Sequence, residues 1–362
     1  MKKLKKLTAL LTAIGMVAAM SACGSDAASS VTTASTGAAD SAPAATEAAQ
    51  AAEAPAEAGS VAETAAAGDE TYLIGICQLV QHEALDAATQ GFKDALTEKL
   101  GDKVKFDEQN ASGDSANCST IVNGFLSENV NLILANATAP LQAAAAATSD
   151  IPVLGTSVTD YATALEISDW TGTVGTNVSG TSDLAPLDQQ AAMIKELFPD
   201  AKKVGLLYCS AEPNSVYQCD TIEGYLKDEG YEIERYAFTD TNDVTSVTQT
   251  ACDNSDVIYI PTDNTAASNT EAIANVVLPA GVPAVVGEEG ICKGCGVATL
   301  SISYYDLGYA TGEMAYKILV EGQDVSTTAV ETAKTVTKKY NAANCEALNI
   351  TIPDDYEAIS EE

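Results

Sequence analysis

One pattern in this chain occurs twice. Ile74-Gly75-Ile76 and Val204-Gly205-Leu206 each lie within an apolar run, and each run leads into a polar loop and then an amphipathic stretch. Two further echoes keep nearly the same offset: Asn131-Leu132-Ile133-Leu134 against Asp256-Val257-Ile258-Tyr259, and Ile151-Pro152-Val153-Leu154 against Val282-Pro283-Ala284-Val285. An approximate duplication of this kind points to two similar α/β lobes with a cleft between them.

The apolar runs are short and unbroken. Leu73–Cys77, Leu132–Ala135 and Val257–Ile260 show no polar alternation, which suits strands buried on both faces. Helical spacing follows them. Leu85, Ala88, Phe92 and Leu96 fall on one helical face, as do Ile121, Val122, Phe125 and Leu126, and again Met193, Ile194, Leu197 and Phe198. Strands alternating with helices imply crossover units and mostly parallel sheets, whose ligands bind beyond the carboxyl ends of the strands. Function is therefore sought in the loops that follow strands.

The N-terminus reads as a leader. Lys2, Lys3, Lys5 and Lys6 precede an apolar stretch from Leu7 to Met20, and Ser21-Ala22-Cys23-Gly24 follows. The stretch is too short to cross a bilayer and ends in small residues, so residues 1–22 read as a signal peptide. It resembles a bacterial lipoprotein signal, in which Cys23 becomes the lipidated first residue. Residues 23–70 are then almost entirely Ala, Ser, Thr, Glu, Gly and Pro, with no Lys or Arg. With so little to bury, this segment is expected to be a disordered tether. Lipid, tether and body together imply an extracytoplasmic protein anchored to the cell membrane.

Charge narrows the partners. The chain carries 51 acidic residues against 18 basic ones, and Arg235 is its single arginine. Phosphate backbones need clustered Lys and Arg, so nucleic acid is excluded and anionic ligands are disfavoured. The surplus acid is otherwise a solvated surface.

Enzymatic motifs are missing. His82 is the single histidine, which argues against Ser/His/Asp and Cys/His devices, and no GxxxxGK[ST] phosphate loop is present. Gly172-Thr173-Val174-Gly175-Thr176-Asn177 lacks the third glycine of a nucleotide turn. Of the nine cysteines, Cys77, Cys209 and Cys252 read as small buried hydrophobes. Cys292-Lys293-Gly294-Cys295 is a CxxC, open between a local disulfide, two free thiols, a redox pair and half a zinc site; with no second CxxC, a metal is not expected. No cofactor is expected either.

The loops after the strands carry the most specific signal. They are Ile76-Cys77-Gln78-Leu79-Val80-Gln81-His82-Glu83, Ala135-Asn136-Ala137-Thr138-Ala139-Pro140, Ser210-Ala211-Glu212-Pro213-Asn214-Ser215 and Pro261-Thr262-Asp263-Asn264. With Gly180-Thr181-Ser182-Asp183, Gly287-Glu288-Glu289 and Ser303-Tyr304-Tyr305-Asp306-Leu307-Gly308, the chain resembles the ABC-transporter substrate-binding proteins of the tryptophan/tyrosine type. The likeness spans about residues 72 to 352. It implies a type I periplasmic-binding-protein fold of two Rossmann-like lobes joined by three crossings, placed near Gly180–Asp183, Leu300–Tyr304 and Gly322–Ala329. Lobe 1 would hold residues 71–181 and 304–325, lobe 2 residues 182–303 and 326–355, and 356–362 would be an acidic tail.

The resemblance also assigns roles. Asn136, Ala137 and Thr138 begin a helix whose free N–H groups receive a ligand carboxylate. Ser182, Asn214 and Ser215 supply short polar groups, with Asn264 beside them. Asp263 is the first candidate for the ligand ammonium, with Asp183 and Glu288 as competitors, although such residues also cap helices. Gln78, Val80 and His82 line the first loop, and Trp170, Tyr208, Tyr217, Tyr304 and Tyr305 are candidate stacking partners. The implied function is a monomeric binding lipoprotein that delivers an aromatic amino acid to an ABC permease and its ATPase. A same-fold receptor for a nucleoside, sugar, branched-chain amino acid or polyamine, or a surface sensor or adhesion module, remains open.

Anchoring is directly testable. Replacing Cys23 by Ser is expected to release the protein from the membrane fraction or leave it unprocessed, because acyl chains hold by about 0.8 kcal/mol per buried CH₂. Unaltered membrane retention of a normally processed Cys23→Ser protein argues against lipidation.

Overall fold

The computed structural model describes residues 71–360, so the leader, the tether and Cys23 lie outside the described residues. The chain begins with β1 (Tyr72–Gln78), α1 (Glu83–Leu100), β2 (Val104–Asn110), α2 (Ser115–Glu128), β3 (Leu132–Asn136), α3 (Thr138–Ala147), β4 (Val153–Val158), the single turn α4 (Tyr161–Ala164) and β5 (Val178–Ser182). It then builds α5 (Leu187–Leu197), β6 (Lys203–Cys209), α6 (Pro213–Asp228), β7 (Glu232–Phe238), α7 (Val244–Asn254), β8 (Val257–Ile260), the single turn α8 (Asn264–Ala267), α9 (Thr270–Ala280), β9 (Ala284–Val286), α10 (Glu289–Gly294) and β10 (Ala298–Ser301). Last come α11 (Tyr304–Glu321), β11 (Glu331–Thr332), β12 (Thr337–Tyr340), α12 (Ala342–Ala347) and β13 (Glu357–Ala358).

The duplication is real in three dimensions. One sheet runs β2-β1-β3-β4-β5-β11, all parallel, and the other runs β7-β6-β8-β9-β10-β12-β13. Each thus opens with the same doubly wound order, which puts every strand-end loop at one edge of its lobe. In the second sheet β12 joins β10 antiparallel. The paired Ile-Gly-Ile and Val-Gly-Leu motifs have a steric cause. A Cβ at Gly75 would lie 2.6 Å from the Phe125 ring, and one at Gly205 would lie 2.4 Å from Ser255 Oγ, so the helical layer approaches the first strand of each lobe at a glycine.

Alternate residues of the buried strands feed opposite layers. In lobe 1, Ile74, Ile76, Leu132 and Leu134 face α1 and α11 with Phe92, Leu96 and Met314, while Ile133, Ala135 and Val153 face α2 and α3 with Val122, Phe125 and Leu141. Lobe 2 repeats this. Leu206, Val257 and Tyr259 pack with Met193, Ile194 and Ile222, and Leu207, Ile258 and Ile260 pack with Ala251, Ile273 and Val277.

The chain crosses between lobes after β5, after β10 and after β11. The third crossing departs from the expectation near Gly322–Ala329, because Glu331 and Thr332 still pair with Thr181 and Ser182 of lobe 1. Lobe 1 therefore extends to Thr332, and Ser182 is its strand residue rather than lobe 2's. Nor does a tail begin at residue 356: Tyr356 is buried in the lobe 2 core, and Glu357–Ala358 pair with Lys339 and Tyr340. Such two-residue strands lack the apolar run that marks the central strands β1, β3, β6 and β8.

All eight described cysteines are free and buried. No disulfide joins Cys292 to Cys295; both thiols point into the lobe 2 core beside Val286 and Ile291.

Helix α11 returns from lobe 2 to lie along α1. Glycine makes the seam: a Cβ at Gly308 would sit 1.9 Å from Ala88 O, and one at Gly91 would sit 2.1 Å from Tyr305 O. Overpacking of this kind costs about 1–3 kcal/mol or more. Gly308→Ala is expected to lower the unfolding free energy by at least that much. Gly124→Ala, in α2 with open space around it, is expected to raise stability by about 0.5–1 kcal/mol. Equal denaturation midpoints for the two variants would contradict the seam.

Candidate functional site

The loops at the carboxyl edges of both sheets face one another across a narrow cavity of about 10 Å³. Lobe 1 contributes His82, Leu85, Ser157 and Thr159; lobe 2 contributes Asn214, Thr262, Asp263, Asn264, Ala267 and Glu288; Asp183 and Tyr304 come from the first two crossings. A space of this size has room for about one water, so the lobes must part to admit a solute. Six of the thirteen residues expected from sequence therefore meet in its walls: His82, Asp183, Asn214, Asp263, Asn264 and Glu288.

The others stand behind the walls and hold them. Gln78 donates from Nε2 to Val80 O at 3.0 Å and to Asp86 at 2.7 Å, while its Oε1 accepts from Thr89 at 2.7 Å. Its side chain is thus fully engaged within lobe 1, and Val80 packs half-buried on the core. Asn136 is wholly buried and donates to Leu85 O at 2.8 Å and Thr89 Oγ1 at 2.9 Å, leaving Oδ1 without a partner. Ala137 adopts φ 100°, a conformation rarely seen outside glycine, and gives its N–H to Thr156 O at 3.0 Å. Of the expected carboxylate receptor, the first-turn amides of α3 at Thr138 and Ala139 remain, since Pro140 has none. Ser182 donates to Thr159 O at 2.7 Å, and buried Ser215 receives the Asn214 amide at 3.3 Å.

The acids divide sharply by what they already hold. Asp263 caps α8: Oδ1 accepts from Ala266 N at 2.8 Å and Oδ2 from Cys209 N at 2.6 Å. Glu288 caps α10, accepting from Gly290 N at 2.6 Å and Ile291 N at 2.5 Å. Asp183 differs. Its Oδ2 accepts from the Tyr304 hydroxyl at 2.9 Å, and its Oδ1 is buried with no partner. Ser157 Oγ, another cavity wall, is likewise unpartnered, and Ser157 sits at φ 55° where the β4 register slips. Free polar atoms thus come together at Asp183 and Ser157. Asp263, the first candidate, is spoken for by backbone.

Burial sets the titration of these groups. It pushes Glu288 up to about 7 against the pull of its two backbone amides. It raises Asp263, with the Glu212 charge adding to it, and raises Asp183 against the Tyr304 hydroxyl. His82 is lowered, first by burial, with Asn264, Glu212 and Asp86 opposing. No lysine or arginine lines the cavity.

Sequence reasoning missed Ser157, Thr159 and the supporting role of Glu212. Glu212 accepts from Asn264 N and Nδ2 at 3.0 and 2.7 Å and from Thr265 N and Oγ1 at 2.8 and 2.7 Å, fixing the start of α8. An acid directly before Pro213 at a helix start was the available signal. Of the five candidate aromatics, Tyr304 alone reaches the cavity. Tyr208 is core, Trp170 stacks on Tyr161 at 6.4 Å, Tyr305 lies on the surface, and Tyr217 is half-buried on α6.

Two doubly wound lobes, three crossings and a polar cavity between strand-end loops define a two-lobed solute-binding protein of the type I periplasmic-binding-protein kind. Comparison makes this specific. Residues 73–362 match the family described as ABC transporter substrate binding protein, and the chain belongs to that family. It is 37% identical over 262 residues to a tyrosine-binding protein of Clostridioides difficile (strain R20291), covering 72% of this chain and 75% of that one. The crystal structure of an ABC domain in complex with L-Trp from Streptococcus pneumonia superposes with a TM-score of 0.77 at 31% identity, over 80% of this chain and all of that one. The ligand-free, open structure of a substrate-binding protein with adhesive properties from Clostridium difficile gives 0.62 at 34% identity, over 81% of this chain and all of that one. At comparable identity, the chain superposes more closely on the L-Trp complex than on the open structure.

The buried acids predict a pH dependence. A carboxyl whose folded pKa is raised contributes stability that is complete below the unfolded value near 4 and is lost as pH rises through the folded value. The melting temperature of the ligand-free body is therefore expected to fall from pH 5 to 8, with the Glu288 part of the loss levelling off once the pH has passed about 7. Glu288→Gln should flatten that part of the slope, even though losing one cap bond lowers stability at every pH. An unchanged slope in the variant would show that Glu288 titrates normally.

Proposed function

We propose that this protein captures an aromatic amino acid, L-tyrosine or L-tryptophan, between its lobes and passes it to a membrane permease driven by an ATPase. The observation that carries the reading is Asp183: a buried carboxylate at the hinge with one oxygen unpartnered, in a cavity without lysine or arginine. Such a group calls for a cation from the ligand, and an ammonium supplies it. Asp183 rather than Asp263 is the anchor in this reading, because Asp263 already accepts two backbone amides. The unpartnered Ser157 hydroxyl in the cavity wall serves the ligand carboxylate. Tyr304, His82 and Leu85 give the apolar walls for a ring.

The C. difficile relative and the S. pneumonia complex support an aromatic amino acid as the solute. The remaining parts of the reading are a monomer without enzymatic activity, held outside the membrane by a lipid on Cys23. Among the described residues no helix is long and apolar enough to cross a membrane.

L-tyrosine or L-tryptophan at a hundredfold excess over its dissociation constant should stabilise the protein by about 2.7 kcal/mol. For a body of this size that raises the melting temperature by several degrees, at about 2–4 °C per kcal/mol. Sugars and phosphate should not. Asp183→Asn removes a charge-assisted bond worth about 1.5–3 kcal/mol, so affinity is expected to drop about tenfold or more with the fold intact. Normal affinity in Asp183→Asn would move the anchor elsewhere. Absence of binding by either amino acid at millimolar concentration to ligand-stripped protein would end the aromatic reading.

A further inference from the structure

His82 and Asn264 belong to different lobes. His82 precedes α1 in lobe 1, Asn264 begins α8 in lobe 2, and His82 Nε2 lies 3.2 Å from Asn264 Oδ1. We infer that this hydrogen bond is a latch that holds the lobes shut over the cavity, with Glu212 as its brace. The direction of the bond follows from the brace. Glu212 Oε2 accepts from Asn264 Nδ2 at 2.7 Å and from its backbone N at 3.0 Å, so the amide turns its oxygen toward the imidazole. His82 must then donate from Nε2.

Position makes the bond decisive. His82 lines the inner cavity and also the groove outside it, where Gln81, Ser268, Thr270 and Lys293 face solvent. With Ala267 and Glu288 it forms the wall shared by the inner cavity and the outer groove, and of these three it is the one from lobe 1, so parting the lobes at this mouth separates His82 from Asn264. A second polar link between lobes at the mouth, among the described residues, is a solvent-exposed ion pair. Lys293 and Glu83 approach to 3.3 Å with side chains 33% and 59% exposed, and pairs of that kind contribute little. The Asp183–Tyr304 bond joins two crossings and can persist as the lobes swing. A half-buried, braced bond at the mouth is the stronger restraint.

The latch assigns His82 a positioning role in retention, one step beyond the binding reading. The test follows opening without ligand as well as ligand release. Dyes on Asp102→Cys in lobe 1 and Asp228→Cys in lobe 2, both exposed positions away from the buried native thiols, report lobe separation by single-molecule fluorescence transfer. His82→Leu is expected to raise the opening rate of the ligand-free protein roughly fivefold, as loss of one such bond does. L-tyrosine and L-tryptophan should then dissociate faster by a similar factor, with association little altered. His82→Gln, which keeps a donor near the Nε2 position, should restore both rates. Asn264→Ala should add nothing to His82→Leu. Unchanged opening in His82→Leu, or His82→Gln behaving as His82→Leu, would overturn the latch. If neither amino acid binds the unaltered protein, the solute reading fails, and the opening rates still decide the latch.

Discussion

The cleft depends on how the backbone is satisfied where the parallel strands end. At those points the chain leaves the sheet ladder and its peptide groups need new partners. In lobe 2 the task falls mainly to buried acids and amides. Glu212 holds the start of α8, Asp263 ties the end of β6 to α8, and Glu288 caps α10. Gln218 clamps the Thr262 peptide on both sides, at 3.0 Å each. These loops stay rigid because their carboxylates are spent internally. That is why an acid-lined cavity leaves one carboxylate oxygen free at Asp183, and why the site's selectivity is proposed to rest there.

The same economy explains the cost of the architecture. Buried carboxyl groups without a neighbouring cation are held high in pKa, so the body is poised to lose stability as pH rises. An incoming ammonium would offset the cost of burying such a charge in the proposed mode of binding. Supporting rows such as Gln78–Thr89–Asn136 lie entirely within lobe 1, so they fix a wall without linking it to the opposite lobe. Contact across the mouth is left to few groups, which suits lobes that must part.

Much of this was legible from the residues. Period and spacing located the principal strands, because central strands buried on both faces must be unbroken apolar runs, as Val257–Ile260 shows. The duplication placed the cleft, and strand-end loops located its walls. Short edge strands were not legible: Glu331–Thr332 is polar and exposed, and only its partner β5 makes it a strand. Roles within the site were harder still. Asp183 and Asp263 have the same side chain in similar loops, and what separates them is which backbone amides lie within reach, a property of the folded chain. Ser157 was invisible because its exposure to the cavity arises from a slipped register in β4.

The glycine seam between α1 and α11 sets an order of assembly. Tyr305 and Tyr309 on α11 meet Asp94 and Glu98 on α1 across 211 residues of sequence, a span that contains lobe 2 from α5 to β10. Until that late helix arrives, the face of α1 around Gly91 has nothing to cover it. Lobe 1, first to leave the ribosome, is therefore completed only after most of lobe 2 has been synthesised. A chain synthesised from its N-terminus holds its first lobe incomplete until α11 and β11 emerge, and the second lobe still awaits β12 and β13 at that point; contacts so distant in sequence make the docking of α11 slow.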